Sequence, residues 1–374
     1  MKAYKPFAVT VIGGSHIKHG KGCEDHSDYY DDPGMSIAVV ADGHGDDNCF
    51  RSAKGSELAV KCALEGIKEF VEFHESEFSS GFFKKKTTPA KDIFDKAIRD
   101  IIKRIIALWQ VRVEEDYTAH PFTAEELEKA DEKHRKMFEE GIRMSKAYGT
   151  TLIATAITPG YWLGIHIGDG RFTALYADGT FDQPVPWDER CNLNITTSMC
   201  DDDAFERARH YFSFHEEKAP PAAVFLCSDG VDDSLQVFEN EKHLYKLYCR
   251  ITLTFAENES TYEKKLNDWA NKFAIKGKGD DTSIAGFINT GAMEQAVPIW
   301  KKQIAEEEAV AKKAAAEKAA IEEAAKEEAP VVTKAEAEKP DTTVLRNAAA
   351  EYQKNMDFAK GGISSYGDME KAHE

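Results

Sequence analysis

Four acidic clusters, widely separated along the chain, constrain its fold more than any other feature: Glu24-Asp25, Asp42-Gly43-His44-Gly45, Ser228-Asp229-Gly230 and Asp280-Asp281. Three of them border apolar runs of strand length. Residues 36–41 lead into Asp42, residues 222–227 lead into Ser228-Asp229, and Asp280-Asp281 opens the run 282–288. Short apolar runs bounded by turn residues read as buried strands. Carboxylates at strand ends converge when the strands share a sheet. Converging carboxylates repel unless protons or cations intervene, and hard divalent cations take oxygen donors of this kind. The expected site is a carboxylate-rich metal centre holding two ions.

The rest of the chain fits one large folded domain with an extension. Strands are expected over 7–13, 35–41, 150–158, 161–167, 171–177, 222–228 and 283–289. Pro159-Gly160 joins two of them as a hairpin. Helices are expected over 50–75, 90–116, 124–147, 202–212, 236–256 and 260–274. In the second of these Ile93, Phe94, Ala97, Ile98, Ile101, Ile105, Leu108 and Trp109 recur at helical spacing. Thr123 and Glu126 form a capping box for the third. Strands interspersed with long helices, without βα alternation throughout, indicate an α+β layered sandwich. The boundaries read as a folded domain at 1–291, an Ala/Glu/Lys-rich helix at 292–329 and a tail without stable structure at 330–374. That helix is a solvated single helix on its composition, with a protein-partner helix as the alternative.

Composition removes several function classes. A net charge of −18 argues against a general nucleic-acid binder, which would need a basic face, and more weakly against an anionic membrane surface. Seven cysteines, an odd number without a C-x-x-C pair, argue against a zinc ribbon or a disulfide framework. No apolar stretch approaches membrane-span length, and residues 7–12 are too short for a secretory signal core. The expectation is a cytoplasmic monomer.

Read cluster by cluster, Asp42 can reach a metal, and Gly43 lets its backbone carbonyl approach the same ion. His44 lies close enough to a reaction centre there to move a proton. Adjacent carboxylates at Glu24-Asp25 cannot both face one way on an extended chain, so one binds directly and the other acts through water. Asp229 ends its strand, with Asp233 four residues on. Gly149-Thr-Thr151 opens another strand, and Gly168-Asp169-Gly170-Arg171 forms a tight connection.

The ordered set Glu24-Asp25, Asp-Gly-His-Gly at 42–45, Gly-Thr-Thr at 149–151, Gly-Asp-Gly-Arg at 168–171, Ser-Asp-Gly-Val-Asp-Asp at 228–233 and Asp-Asp-Thr-Ser at 280–283 resembles the metal-dependent protein phosphatases of type 2C. The segment 15–25 is most similar to a divergent, mainly bacterial branch, and the resemblance spans residues 8–289. It implies a four-layer α-β-β-α sandwich of two antiparallel sheets flanked by helices. It also implies two Mn²⁺ or Mg²⁺ ions, with a weaker third in some members, and hydrolysis of phosphoserine and phosphothreonine in proteins. Carried over, Asp42 bridges the two ions and Gly43 ligates through its carbonyl. Asp229 and Asp280 complete one ion, Glu24 serves the other mostly through water, and Asp25 stands behind it. His44 is the general acid, and Asp169 with Asp233 holds the third ion.

Three departures accompany the match. No arginine precedes Glu24-Asp25 to clamp phosphate, and the stretch offers Lys18, His19 and Lys21, of which Lys18 is the expected clamp. The usual Gly-Asp-Ser-Arg reads Gly-Asp-Gly-Arg, and the usual Asp-Asn reads Asp280-Asp281, with Asp280 preferred as the ligand. The alternatives are a non-catalytic phosphoprotein-binding scaffold and a phosphohydrolase acting on a small molecule.

Overall fold

The computed structural model describes residues 4–79, 90–191, 195–235 and 240–327. Among the described residues ten strands form two five-stranded sheets. They are β1 (Tyr4–Val11), β2 (His26–Asp31), β3 (Ser36–Ala41), β4 (Leu152–Ile157), β5 (Tyr161–Ile167), β6 (Arg171–Leu175), β7 (Phe181–Asp182), β8 (Arg209–Phe214), β9 (Ala223–Cys227) and β10 (Thr282–Asn289). One sheet has the order β1-β10-β9-β6-β7 and the other β2-β3-β4-β5-β8, and every pairing is antiparallel.

Strand periodicity explains the layers. In β3, Ala38 and Val40 point between the sheets, where they meet Ile153, Trp162, Phe172, Leu226 and Phe287. Ile37, Val39 and Ala41 point outward, under the long helices α2 (Ser52–Ser79) and α3 (Ala90–Ala119). The other sheet is covered by α8 (Asn240–Glu257) and α9 (Glu259–Lys276). Strands buried on both faces read as continuous apolar runs, which is why 36–41 and 222–227 are so legible. The architecture is the expected α-β-β-α sandwich. Short helices occupy the connections: α1 (Gly14–His19), α4 (Ala124–Lys129), α5 (Glu132–Glu139), α6 (Ala204–Arg207) and α7 (Asp229–Asp232). No helix among the described residues is long and apolar enough to cross a membrane.

Three local expectations are corrected. The segment 202–212 is helical only over Ala204–Arg207, and Arg209–Phe214 forms edge strand β8 on β5. The segment 124–147 breaks into α4 and α5, each opened by its own cap, Thr123 and Asp131, and then a 3-10 turn, Met144–Tyr148. The helix α10 (Met293–Glu327) does not begin as a solvated rod. Its first turns bury Ala296 and Trp300 in one core cluster with Leu175, Tyr245 and Tyr248, and the first compact unit ends at Ala309. The second unit spans Val310–Glu374, and the tail expected at 330–374 lies outside the described residues.

Candidate metal centre

The antiparallel register delivers the acidic clusters to one end of the sandwich. Asp42 follows β3, Glu24-Asp25 precedes β2, and His26 pairs with Ala41. Asp229 opens α7 directly after β9, and Asp280-Asp281 precedes β10, with Ile284 opposite Cys227. Asp42 is locked from behind by the Gly-Thr-Thr segment: its N–H donates to Thr151 Oγ1 (3.0 Å), and its carbonyl accepts from Thr151 N (2.8 Å) and Thr150 Oγ1 (2.9 Å). Gly43 bridges to Thr150.

The charge of Asp229 bears on Asp42, with Asp25 and Asp169 adding like charge. Burial, reinforced by these neighbours, pushes the Asp42 carboxyl well above the usual carboxylate range and raises Asp229 as well. Asp25 is fully enclosed. Burial raises its carboxyl, and the Ser228 and Ser283 hydroxyls offset part of that rise. Asp169 lies in the β5–β6 turn, where burial raises it against a bond from Thr196, and Asp233 caps α7.

Glu24 is held through Oε1 by Ser52 Oγ (2.9 Å), while its buried Oε2 has no hydrogen-bond partner. Gly45 adopts φ +61°, and any Cβ there would stand 2.6 Å from Glu24 Oε2, so only glycine leaves room for that oxygen. The two aspartates before β10 differ in role. Asp281 is buried, with both oxygens taken by backbone N–H groups, Gly13 at 2.7 Å and Glu24 at 2.6 Å. Asp280 keeps a side chain 52% exposed and raises the carboxyl of Asp229 by its charge.

Two expected residues are not brought into the cluster. Lys18 is exposed on α1 and makes no ion pair with these carboxylates among the described residues. The His44 ring sits beside Gly149, where a Cβ would come within 2.7 Å of His44 Cδ2 and 2.8 Å of Cys49 Sγ. Its charged neighbours are Asp201, Asp46 and Lys146, and burial lowers its imidazole to about 4. His16, which no sequence motif singles out, lies beside these carboxylates. Its ring contacts Asp281 and faces Glu24 and Asp280. The signal was the register of β1 with β10, Val11 opposite Thr282, which sets residues 12–16 beside Asp280-Asp281.

These groups fit divalent cations by donor chemistry: crowded oxygen donors, an unpartnered buried carboxylate oxygen, and carboxyls forced toward protonation for want of countercharge. Among the described residues no three His, Cys, Asp or Glu side chains are already closed around one point at coordination distance.

The model of the protein phosphatase 2C family matches residues 12–271. The chain belongs to that family. Membership supports metal-dependent serine/threonine phosphatase chemistry. No curated protein matches the sequence. Among solved structures, the chain is similar to the serine/threonine phosphatase Stp1 of Staphylococcus aureus at 15% identity, covering 77% of this chain and 95% of that one, TM-score 0.43. The serine/threonine phosphatase of S. agalactiae gives 15% identity, 76% and 99% coverage and TM-score 0.43. The catalytic domain of PstP in complex with two manganese ions gives 15% identity, 76% and 97% coverage and TM-score 0.40.

Proposed function

We propose that the protein hydrolyses phosphoserine and phosphothreonine in proteins at a binuclear Mn²⁺ or Mg²⁺ centre. The observation that carries this reading is the convergence of the Asp42 and Asp229 carboxyls, with Asp25 and Asp169 adding like charge, at the end of the sandwich. Asp42 would stand between the ions, with the Gly43 carbonyl beside it. Asp229 and Asp280 would serve one ion and Glu24 the other. The free Glu24 Oε2 supports that choice, as does the occupation of both Asp281 oxygens by backbone. Asp25 would act from behind, and Asp169 with Asp233 would hold a weaker third ion. Divalent cations so held lower the pKa of water and offset phosphoryl charge.

The chain's own residues do the rest. Thr150 and Thr151 keep Asp42 in place. His44 is the proton donor for the leaving serine or threonine oxygen. At rest it is neutral, and an entering phosphoryl dianion favours its charged form. The role requires the ring to turn out of the Gly149 niche. Lys18, free in solvent, is placed to meet phosphate only as a mobile point charge.

The test is dephosphorylation of phosphoserine, phosphothreonine and phosphotyrosine peptides and p-nitrophenyl phosphate, with Mn²⁺, Mg²⁺ or EDTA. Cation-dependent turnover of the first two peptides is expected, abolished in Asp42→Ala and Asp229→Ala. Wild-type turnover in both variants refutes the assignment. Turnover of small phosphate esters without either peptide would redirect it to a small-molecule phosphohydrolase.

A further inference from the structure

His16 belongs to no part of the mechanism above, yet it is the basic side chain set among the carboxylates. Asp281 lies against its ring. That carboxylate is pinned by the backbone N–H groups of Gly13 and Glu24, which tie the loop before α1 and the segment before β2 to the start of β10. His16 Nδ1 lies 3.0 Å from Asp281 Oδ1. Nε2 faces the opposite way, 3.8 Å from Glu24 Oε2 and 3.7 Å from Asp280 Oδ1.

Those two separations are too long for hydrogen bonds. They suit donors of one small cation: atoms about 2.1–2.2 Å from an ion stand roughly 3 Å apart at right angles and about 3.7 Å apart near 120°. Glu24 Oε2 is buried and has no hydrogen-bond partner, so the Glu24 side of the gap is a free donor. Asp280 is half-exposed and can swing inward, which closes the donors beyond their present spread.

We propose that His16 is a nitrogen ligand of the centre, its Nε2 joining Glu24 and Asp280 on one cation. This rests on the metal-centre reading above. Nδ1 is buried without a hydrogen-bond partner 3.0 Å from Asp281 Oδ1, so a small turn of the ring would let its proton bond to Asp281 and present the Nε2 lone pair, as carboxylates behind metal-bound imidazoles do. An imidazole in an otherwise oxygen donor set favours a transition-metal ion over Mg²⁺. His16 is thereby a determinant of cation choice, tilting this centre toward Mn²⁺.

Pulsed EPR of the full-length protein loaded with Mn²⁺ tests this directly. The wild type should show ¹⁴N coupling to bound Mn²⁺, lost in His16→Gln and retained in His19→Gln. Calorimetry should show Mn²⁺ affinity of His16→Gln falling roughly 10-fold or more, with Mg²⁺ affinity much less affected. Melting in EDTA checks that the variant folds. Bound Mn²⁺ without ¹⁴N coupling in the wild type, or coupling that survives in His16→Gln, overturns the role of His16 and leaves the metal centre standing. A wild type that binds no Mn²⁺ overturns both.

Discussion

Asp42→Asn should make the metal-free protein more stable while removing its response to metal. In the folded chain Asp42 and Asp229 are mutually repelling carboxyls, with the charges of Asp25 and Asp169 also acting on Asp42. Two full negative charges 4 Å apart at an effective dielectric of 20 repel by about 4 kcal/mol. Taking up a shared proton relieves much of this, so neutralising one partner should return about 1–3 kcal/mol at pH 8. The sign follows from linkage. Both carboxyls are raised above their unfolded value, so the folded state holds protons the unfolded chain releases. Their contribution is fully present below the unfolded value near 3.8 and is lost as pH rises through the folded values. Wild-type protein in EDTA should therefore weaken between pH 5 and 8, and Asp42→Asn should flatten that slope. Saturating Mn²⁺ at about 100 times its Kd should add about 2.7 kcal/mol to the wild type and little to the variant. Urea unfolding followed by circular dichroism, with EDTA or Mn²⁺, reads all of this. A variant less stable than wild type in EDTA, with an undiminished gain from Mn²⁺, would refute the reasoning.

Three further outcomes follow from other sites. Arg51 lies 12% exposed with Nε 2.7 Å and Nη2 2.9 Å from the Glu126 carboxylate, and it also donates to Tyr148 and His120. Arg51→Met should cost about 2–4 kcal/mol in urea unfolding, discounted for the partial exposure of Glu126, and Arg51→Lys should recover only part. His166 is buried on β5 with neither ring nitrogen partnered, and burial, aided by Arg209, lowers it well below its usual range. The folded state keeps it neutral, so its contribution is full above pH 6.5 and falls as pH drops below that value, by up to about 2 kcal/mol at pH 5. His166→Leu should flatten that limb of a pH-stability profile. Gly149→Ala would press a methyl on His44 and Cys49. We expect a loss of about 1–3 kcal/mol with a drop in kcat, read by melting and turnover of p-nitrophenyl phosphate.

What was legible in the sequence was the part governed by local pattern. Strands β3, β9 and β10 are covered on both faces, so their apolar runs stand out, and their ends carry the acidic clusters. Strand β2 was missed because His26-Ser-Asp-Tyr-Tyr-Asp31 alternates nothing strongly and lies at a sheet edge. Strand β8 was read as helix because Asp203, Glu206 and Arg207 suit one. Pairing with β5 and the stacking of Phe94 on Phe212 override that local preference.

The sequence by itself determined the layers and the kinds of donor atom available, because burial periodicity and side-chain chemistry are properties of the chain. Only the tertiary structure decided which donors face one another. Register turned Asp281 to the backbone and left Asp280 half-exposed. It also turned His44 toward Gly149 and brought His16, rather than Lys18, among the carboxylates. The physical reason is distance: Glu24 and Asp280 lie at opposite ends of the folded domain's sequence, and only antiparallel pairing of β1 with β10 places them around one imidazole.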